Sequence, residues 1–363
     1  MSFDLRRATQ VLLFFVLIFV ILSYGKPFLV PVIFAALFAM LLLPIAKKLE
    51  PGTGKAGSVL LSILIVVAVV AGIFALLSWQ VADIASDASK IEQEIKKKLA
   101  TLSTQITEKL GISQEQQQKI VQKQQSSAGS ISSYIGGALN SLAGIFTNAL
   151  LVLVYIFLFM YFRTRLRNFI LKLMPEGQKQ EADKVMTESR KVAEQYLGGL
   201  ALMIVCLWIL YGIGFTIVGV KNALFFAILC GLLEIVPFVG NLIGTTLTAF
   251  MVLAQGGSGG MVLGVLATYA VVQTFQSYVL EPLIVGSNVN INPLFTILVL
   301  IFGEFLWGLP GMVLAIPVLG IVKIICDHVK ALQPVGYLIG ENKNSDAAGK
   351  LKDKAKRFFK KRG

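Results

Sequence analysis

The 363-residue chain is 56% hydrophobic and only 15% charged, more apolar than the roughly 45–50% of an ordinary soluble domain. Its apolar residues lie in runs too long for globular core helices, which excludes a water-soluble enzyme and makes the bilayer their solvent. The formal charge of +13 is gathered at run boundaries and in the tail, which is the positive-inside pattern of a membrane protein and excludes nucleic acid as a partner.

Arg6 and Arg7 precede the first apolar run, residues 8–24. A retained span fits it better than a cleaved signal sequence, because Lys26-Pro27 follows at once and opens a second run over 27–45. Lys47, Lys48 and Lys55 separate that run from a third at 56–79. Each is near the roughly 20 residues needed to cross about 30 Å of hydrocarbon, so residues 1–80 form a domain of three transmembrane helices. From 81 to 138 the composition turns to Gln, Lys, Glu and Ser, with seven basic and six acidic residues. Ile84, Ile91, Ile95, Leu99, Leu102, Ile106 and Leu110 keep a helical spacing, and the near balance of charge predicts an amphipathic helical segment on the extracytoplasmic side. A fourth transmembrane helix follows at 139–162. Arg163, Arg165, Arg167 and Lys172 then open a cytoplasmic helical linker, 163–195, broken at Met174-Pro175-Glu176-Gly177.

Residues 196–327 form a membrane core, and 328–363 a basic cytoplasmic tail whose Leu351, Ala355, Phe358 and Phe359 among lysines suit an anionic lipid surface. In 222–322 the only Asp, Glu, Lys, Arg or His side chains are Glu234, Glu281 and Glu304. Breaks at Pro237, Gly240, Gly244, the glycines from Gly256 to Gly260, Pro282, Gly286, Pro293, Gly308, Pro310 and Gly311 leave pieces of which many rise only about 20–25 Å. Such pieces are half-helices or re-entrant hairpins, and their freed backbone groups need protein or a water-lined cavity beside them. The reading is two broken hairpins, 222–254 and 292–325, with 261–280 crossing between them.

A carboxylate in a membrane segment costs about 2.5–3.5 kcal/mol on insertion scales, which makes it a functional candidate. Glu234 stands three residues before Pro237 and Glu304 six before Pro310, similar places in two similar hairpins, as when paired broken helices frame a midplane site. The candidate pathway is Glu234, Pro237, Gly240, Asn241, Glu304, Pro310 and Gly311. Glu281, beside Pro282, reads as a boundary acid, with a place in a polar path or helix cap as the alternative. Asn288, Asn290 and Asn292 either line a polar path or cap the helix starting near Pro293. The pairs Gly240/Gly244 and Gly260/Gly264 mark close helix packing. Cys206, Cys230 and Cys326 read as core thiols, and no cofactor, metal or nucleophile motif accompanies the lone His328.

Three strings stand in this order after the polar segment: Glu234-Ile235-Val236-Pro237-Phe238-Val239-Gly240, Pro282-Leu283-Ile284-Val285-Gly286, and Leu306-Trp307-Gly308-Leu309-Pro310-Gly311-Met312-Val313-Leu314-Ala315-Ile316-Pro317. They resemble the autoinducer-2 exporter family of bacterial permeases. The resemblance implies an all-α polytopic membrane protein of about eight transmembrane helices in the bacterial inner membrane, assembled as a homo-oligomer, a pentamer. It makes 196–327 a transport core for efflux of a small polar solute, or for exchange of a monovalent cation with protons as in some relatives. Relatives carry an acid where this chain has Gln276, and a neutral polar residue where it has Glu281. The charge pattern places both termini in the cytoplasm. The competing reading is a membrane-anchored scaffold acting through residues 81–138 and the basic tail.

Overall fold

A computed structural model describes residues 5–86, 93, 149–236, 239–285 and 291–341, and among them the chain is helical throughout. This is a polytopic all-α membrane protein, as lipid demands: a backbone in hydrocarbon must satisfy its own polar groups, and a helix does so within one segment. Helix α1 (Leu5–Tyr24) is separated from α2 (Lys26–Ser86) by Gly25 alone. Within α2 the path breaks at Gly54 (φ 69°, ψ 175°), just beyond Pro51, so α2 is two helices in succession. The second runs on to Ser86, past the expected end at residue 79, because no glycine or proline follows Trp79 before that point. Next come α3 (Ala149–Tyr161), α4 (Arg163–Leu173), a short turn at Glu176–Gln178 after Pro175, and α5 (Lys179–Val218). The last third holds α6 (Ala223–Leu233), α7 (Val239–Ala254), α8 (Gly259–Phe275), a π-helical stretch (Gln276–Val285), α9 (Pro293–Trp307), α10 (Leu309–His328) and α11 (Gln333–Ile339). Among the described residues four helices are long and apolar enough to cross a membrane, five if α3 and α4 count as one broken span.

The chain divides into a larger unit, Pro27–Thr164 with Leu197–Gly286, and a smaller one, Met1–Lys26 with Arg165–Tyr196 and Ser287–Gly363. In the larger unit α2 and α3 pack through Ala35, Ala39, Leu42, Ala46, Val59, Ile156 and Met160. Alanine at these positions lets helix backbones approach where no hydrophobic gradient drives them together. A second core joins α5 to α8 through Leu207, Tyr211, Phe215, Phe226, Cys230, Val252 and Val265. There α6 and α7 form a hairpin closed by glycine: Gly240 lies against the Leu233 carbonyl, and a Cβ on Gly244 would sit 3.0 Å from the Cys230 Sγ.

In the smaller unit α9 and α10 form a second hairpin, turned at Gly308 (φ 70°). Gly303 and Gly311 face each other so closely that a Cβ on Gly303 would stand 2.6 Å from the Gly311 carbonyl oxygen. Trp307 Nε1 donates to the Leu22 carbonyl at 2.9 Å, and Phe19 stacks on Phe305, so α1 lies on this hairpin. His328 ends α10 with its Nε2 3.4 Å from Glu188 and 3.7 Å from Glu181.

Candidate functional site

The larger unit buries a chain of polar side chains where apolar ones would be expected. Glu234 caps the C-terminus of α6, its N–H donating to the Cys230 carbonyl at 3.2 Å. The tight approach of Gly240 to Leu233 brings the start of α7, and with it Asn241, into the core. On α8 and the π-helical stretch after it, Gln273 and Gln276 are three residues apart, one turn, and so share a face. Tyr211 comes from the middle of α5. Tyr211 Oη donates to Asn241 Oδ1 at 2.9 Å, Asn241 Nδ2 donates to Gln273 Oε1, and Gln276 Nε2 donates to Glu234 Oε1 at 2.6 Å. Tyr211 is wholly buried, and Asn241, Gln276 and Glu234 are 3%, 4% and 9% exposed. Thr245 and Thr248 continue the polar line along α7, the Thr248 hydroxyl donating to the Gly244 carbonyl at 2.8 Å.

Three buried oxygens of this group, Glu234 Oε2, Gln276 Oε1 and Thr245 Oγ1, have no hydrogen-bond partner among the described residues. A buried polar atom left unsatisfied costs about 1–3 kcal/mol, and a half-satisfied network is less stable than apolar packing. Each of the three oxygens is an acceptor open to a water, a cation or a donor group of a solute. What the arrangement offers is acceptor oxygens beside a carboxylate, with amide and phenol donors extending the path through the helices.

The residues singled out in the sequence fall in different places. Glu234, Gly240 and Asn241 meet in this cluster. Pro237, Asn288 and Asn290 lie outside the described residues. Glu281 is exposed on the π-helical stretch. Glu304 is exposed on α9, where its carbonyl accepts from the Gly308 N–H at 2.7 Å, so the two acids that looked equivalent differ: one is buried, the other outward. Pro310 is exposed in the first turn of α10, and Gly311 packs on Gly303. Asn292 caps α9, its Oδ1 accepting from the Leu294 N–H at 3.0 Å, and its own N–H donates to the Ile339 carbonyl. Sequence reasoning left Tyr211 and Gln273 out of the site and noted Gln276 only as a departure from the family. The one local signal was the three-residue spacing of Gln273 and Gln276 in an apolar helix, which does not by itself mark a site, and Tyr211 gave none.

Residues 11–331 match the model of a family described as "AI-2E family transporter". Among curated proteins, the chain is 27% identical over 196 residues to the Bacillus subtilis protein named "Putative transport protein YueF", covering 52% of each chain. It is 28% identical over 192 residues to the Escherichia coli protein named "Putative permease PerM", covering 52% of this chain and 54% of that one. A Borreliella burgdorferi protein named "Putative transport protein" is 28% identical over 219 residues, 59% of each chain. The aligned part thus spans about half the length of the curated relatives it matches. With the family model running through nearly all the described helices, from α1 to the end of α10, the chain belongs to the AI-2E transporter family.

Proposed function

We propose that the chain is a secondary transporter of the bacterial inner membrane, not an enzyme, and that Glu234, Gln276, Gln273, Asn241 and Tyr211 form its polar station. It exports a small polar solute of the autoinducer-2 kind, or exchanges a monovalent cation for protons. The observation that carries this reading is the buried Glu234 carboxylate, held on one oxygen by Gln276 and open on the other, at the head of a line of amides in an otherwise apolar unit. An acid kept inside membrane segments against its insertion penalty serves a route for polar cargo.

The short helices support a broken path. α6 has 11 residues and α7 has 16, rising about 16 and 24 Å against a hydrocarbon core of about 30 Å. On this reading the hairpins re-enter, and the second one, with Glu304, Pro310 and Gly311, gates the path. Glu304 stands outward among exposed Ile301, Phe302 and Phe305, a setting in which a second copy of the chain supplies a polar neighbour; assembly as a homo-oligomer, a pentamer by the family resemblance, is part of the proposal. On this reading both termini lie in the cytoplasm, which the basic loops support.

The test is flux in reconstituted vesicles under an imposed proton gradient, screened over small polar solutes and monovalent cations. Asn241→Leu removes both hydrogen bonds that Asn241 makes in the cluster and is expected to lower the flux at least about tenfold, the scale of a 1.4 kcal/mol change in a polar contact. A flux untouched by Asn241→Leu takes the cluster out of the mechanism. If no cargo moves, and deletion of residues 81–138 abolishes the cellular phenotype, the chain is a scaffold.

A further inference from the structure

Helix α4 has four basic residues, Arg163, Arg165, Arg167 and Lys172, no acidic residue and no buried residue. Four of its five apolar side chains, Leu166, Phe169, Ile170 and Leu173, keep the i, i+3, i+4, i+7 spacing that gathers them in an arc of roughly 100°, with Leu171 off it. All four are exposed, Phe169 and Leu173 by 60% and 62%. On one flank of the stripe, Arg167 Nε donates to Asp183 Oδ1 at 2.8 Å, and that hydrogen bond holds the Asp183 carboxyl below the usual carboxylate range. The helix therefore keeps Arg167 paired on that flank and leaves the apolar stripe outward. Arg165 and Lys172 border the stripe, are exposed, and have no partner among the described residues.

Where this stripe can go is set by the chain. Only Phe162 separates α4 from the apolar helix α3, so its start is held within about 8 Å of the end of that helix. A stripe with bordering cations at the edge of a membrane segment matches the headgroup boundary, where apolar side chains enter the acyl region and cations meet phosphates. We infer that α4 is an in-plane anchor: Leu166, Phe169, Ile170 and Leu173 insert into the leaflet, and Arg165 and Lys172 bind anionic phospholipid headgroups beside them. The surface selects anionic lipid near the protein, a property separate from the polar station and independent of whatever cargo the station carries.

Fluorescence quenching by brominated lipid tests this with the full chain in nanodiscs, reading Phe169→Trp and Leu173→Trp as the signal added over the parent. Both added signals are expected to be quenched by lipid brominated high on the acyl chain, while that of Asn168→Trp, off the stripe, is not. With brominated phosphatidylglycerol as a minor component in unbrominated phosphatidylcholine, quenching at position 169 should report anionic lipid enriched at least about threefold over its bulk fraction, given that each basic residue near such a surface favours it by roughly fivefold. Adding Arg165→Gln and Lys172→Gln should return the local fraction to the bulk value. Signals at 169 and 173 that resist quenching would mean that protein or water covers the stripe, and overturn the anchor; quenching of Phe169→Trp that follows the bulk fraction with Arg165 and Lys172 in place would overturn the anionic preference.

Discussion

The Glu234→Gln protein is expected to melt at a higher temperature than the parent chain and to transport nothing. At present the carboxylate and the Gln276 amide satisfy each other on one side only, through Gln276 Nε2 and Glu234 Oε1. Glu234 Oε2 and Gln276 Oε1 remain buried acceptors without a partner among the described residues. An amide in place of the carboxyl keeps the acceptor that Gln276 uses and presents a donor to the idle Gln276 oxygen, so two amides pair reciprocally and no charge is desolvated. Relief of unsatisfied groups is worth about 1–3 kcal/mol, or roughly 1–4 °C in melting temperature for a chain of this size. The same change removes the only buried carboxyl of the cluster, and with it the group that can take up a proton or balance a cation. Gln276→Leu should act in the opposite sense on stability, because it strands the carboxylate altogether. Thermal unfolding in detergent and flux in vesicles, measured on the same preparations, separate the outcomes. A lower melting temperature with flux retained would make Glu234 a structural cap and remove it from the transport path.

Glu234 was legible in the sequence because a single acid in an apolar run has no cheap explanation, and the hairpins because glycine and proline punctuate the last third at intervals too short for full spans. The glycine pair Gly240/Gly244 was equally plain, since its spacing means close packing whatever the fold. Tyr211, Gln273 and Gln276 were not legible in the same way. Neutral amides and phenols are common in membrane helices, and what turns these into a site is the convergence of α5, α7 and α8, which no local pattern encodes. Glu304 shows the converse difficulty: by neighbourhood it looks like Glu234, yet the face of α9 that carries it points outward, and a sequence window reports depth in a run, not direction. The sequence carried the crossing helix to residue 280 with a break at Pro282, whereas the structure winds Gln276–Val285 as one π-helical stretch. Pro282, which has no N–H to give the preceding turn, is the one residue there that argues for irregular winding.

The second large effect is expected at Gly240. A Cβ built there would overlap the carbonyl carbon and oxygen of Leu233, which are backbone atoms and have no rotamer to retreat into. That carbonyl also accepts the Val236 N–H at 2.9 Å, so relief requires the end of α6 to open, which displaces Glu234 next in the chain and Asn241 across the hairpin. Gly240→Ala should thus lose at least about 3 kcal/mol, at the upper end for a small overpacking change, which is roughly 4 °C or more in melting temperature for a chain of this size. It should also lose flux at temperatures where the chain is still folded, because all three hydrogen bonds of the cluster end on Glu234 or Asn241, which flank this turn. Two other helical glycines provide the comparison: a Cβ on Gly212 would meet Ala227 at an ordinary 3.8 Å, and one on Gly72 would meet nothing within 4 Å. Alanine at those positions replaces a poor helix former with the best one and should stabilise by up to about 1 kcal/mol. If all three alanine variants melt together, the tight approach of α7 to α6 is not what holds the hairpin, and the placement of Asn241 beside Gln273 has another cause.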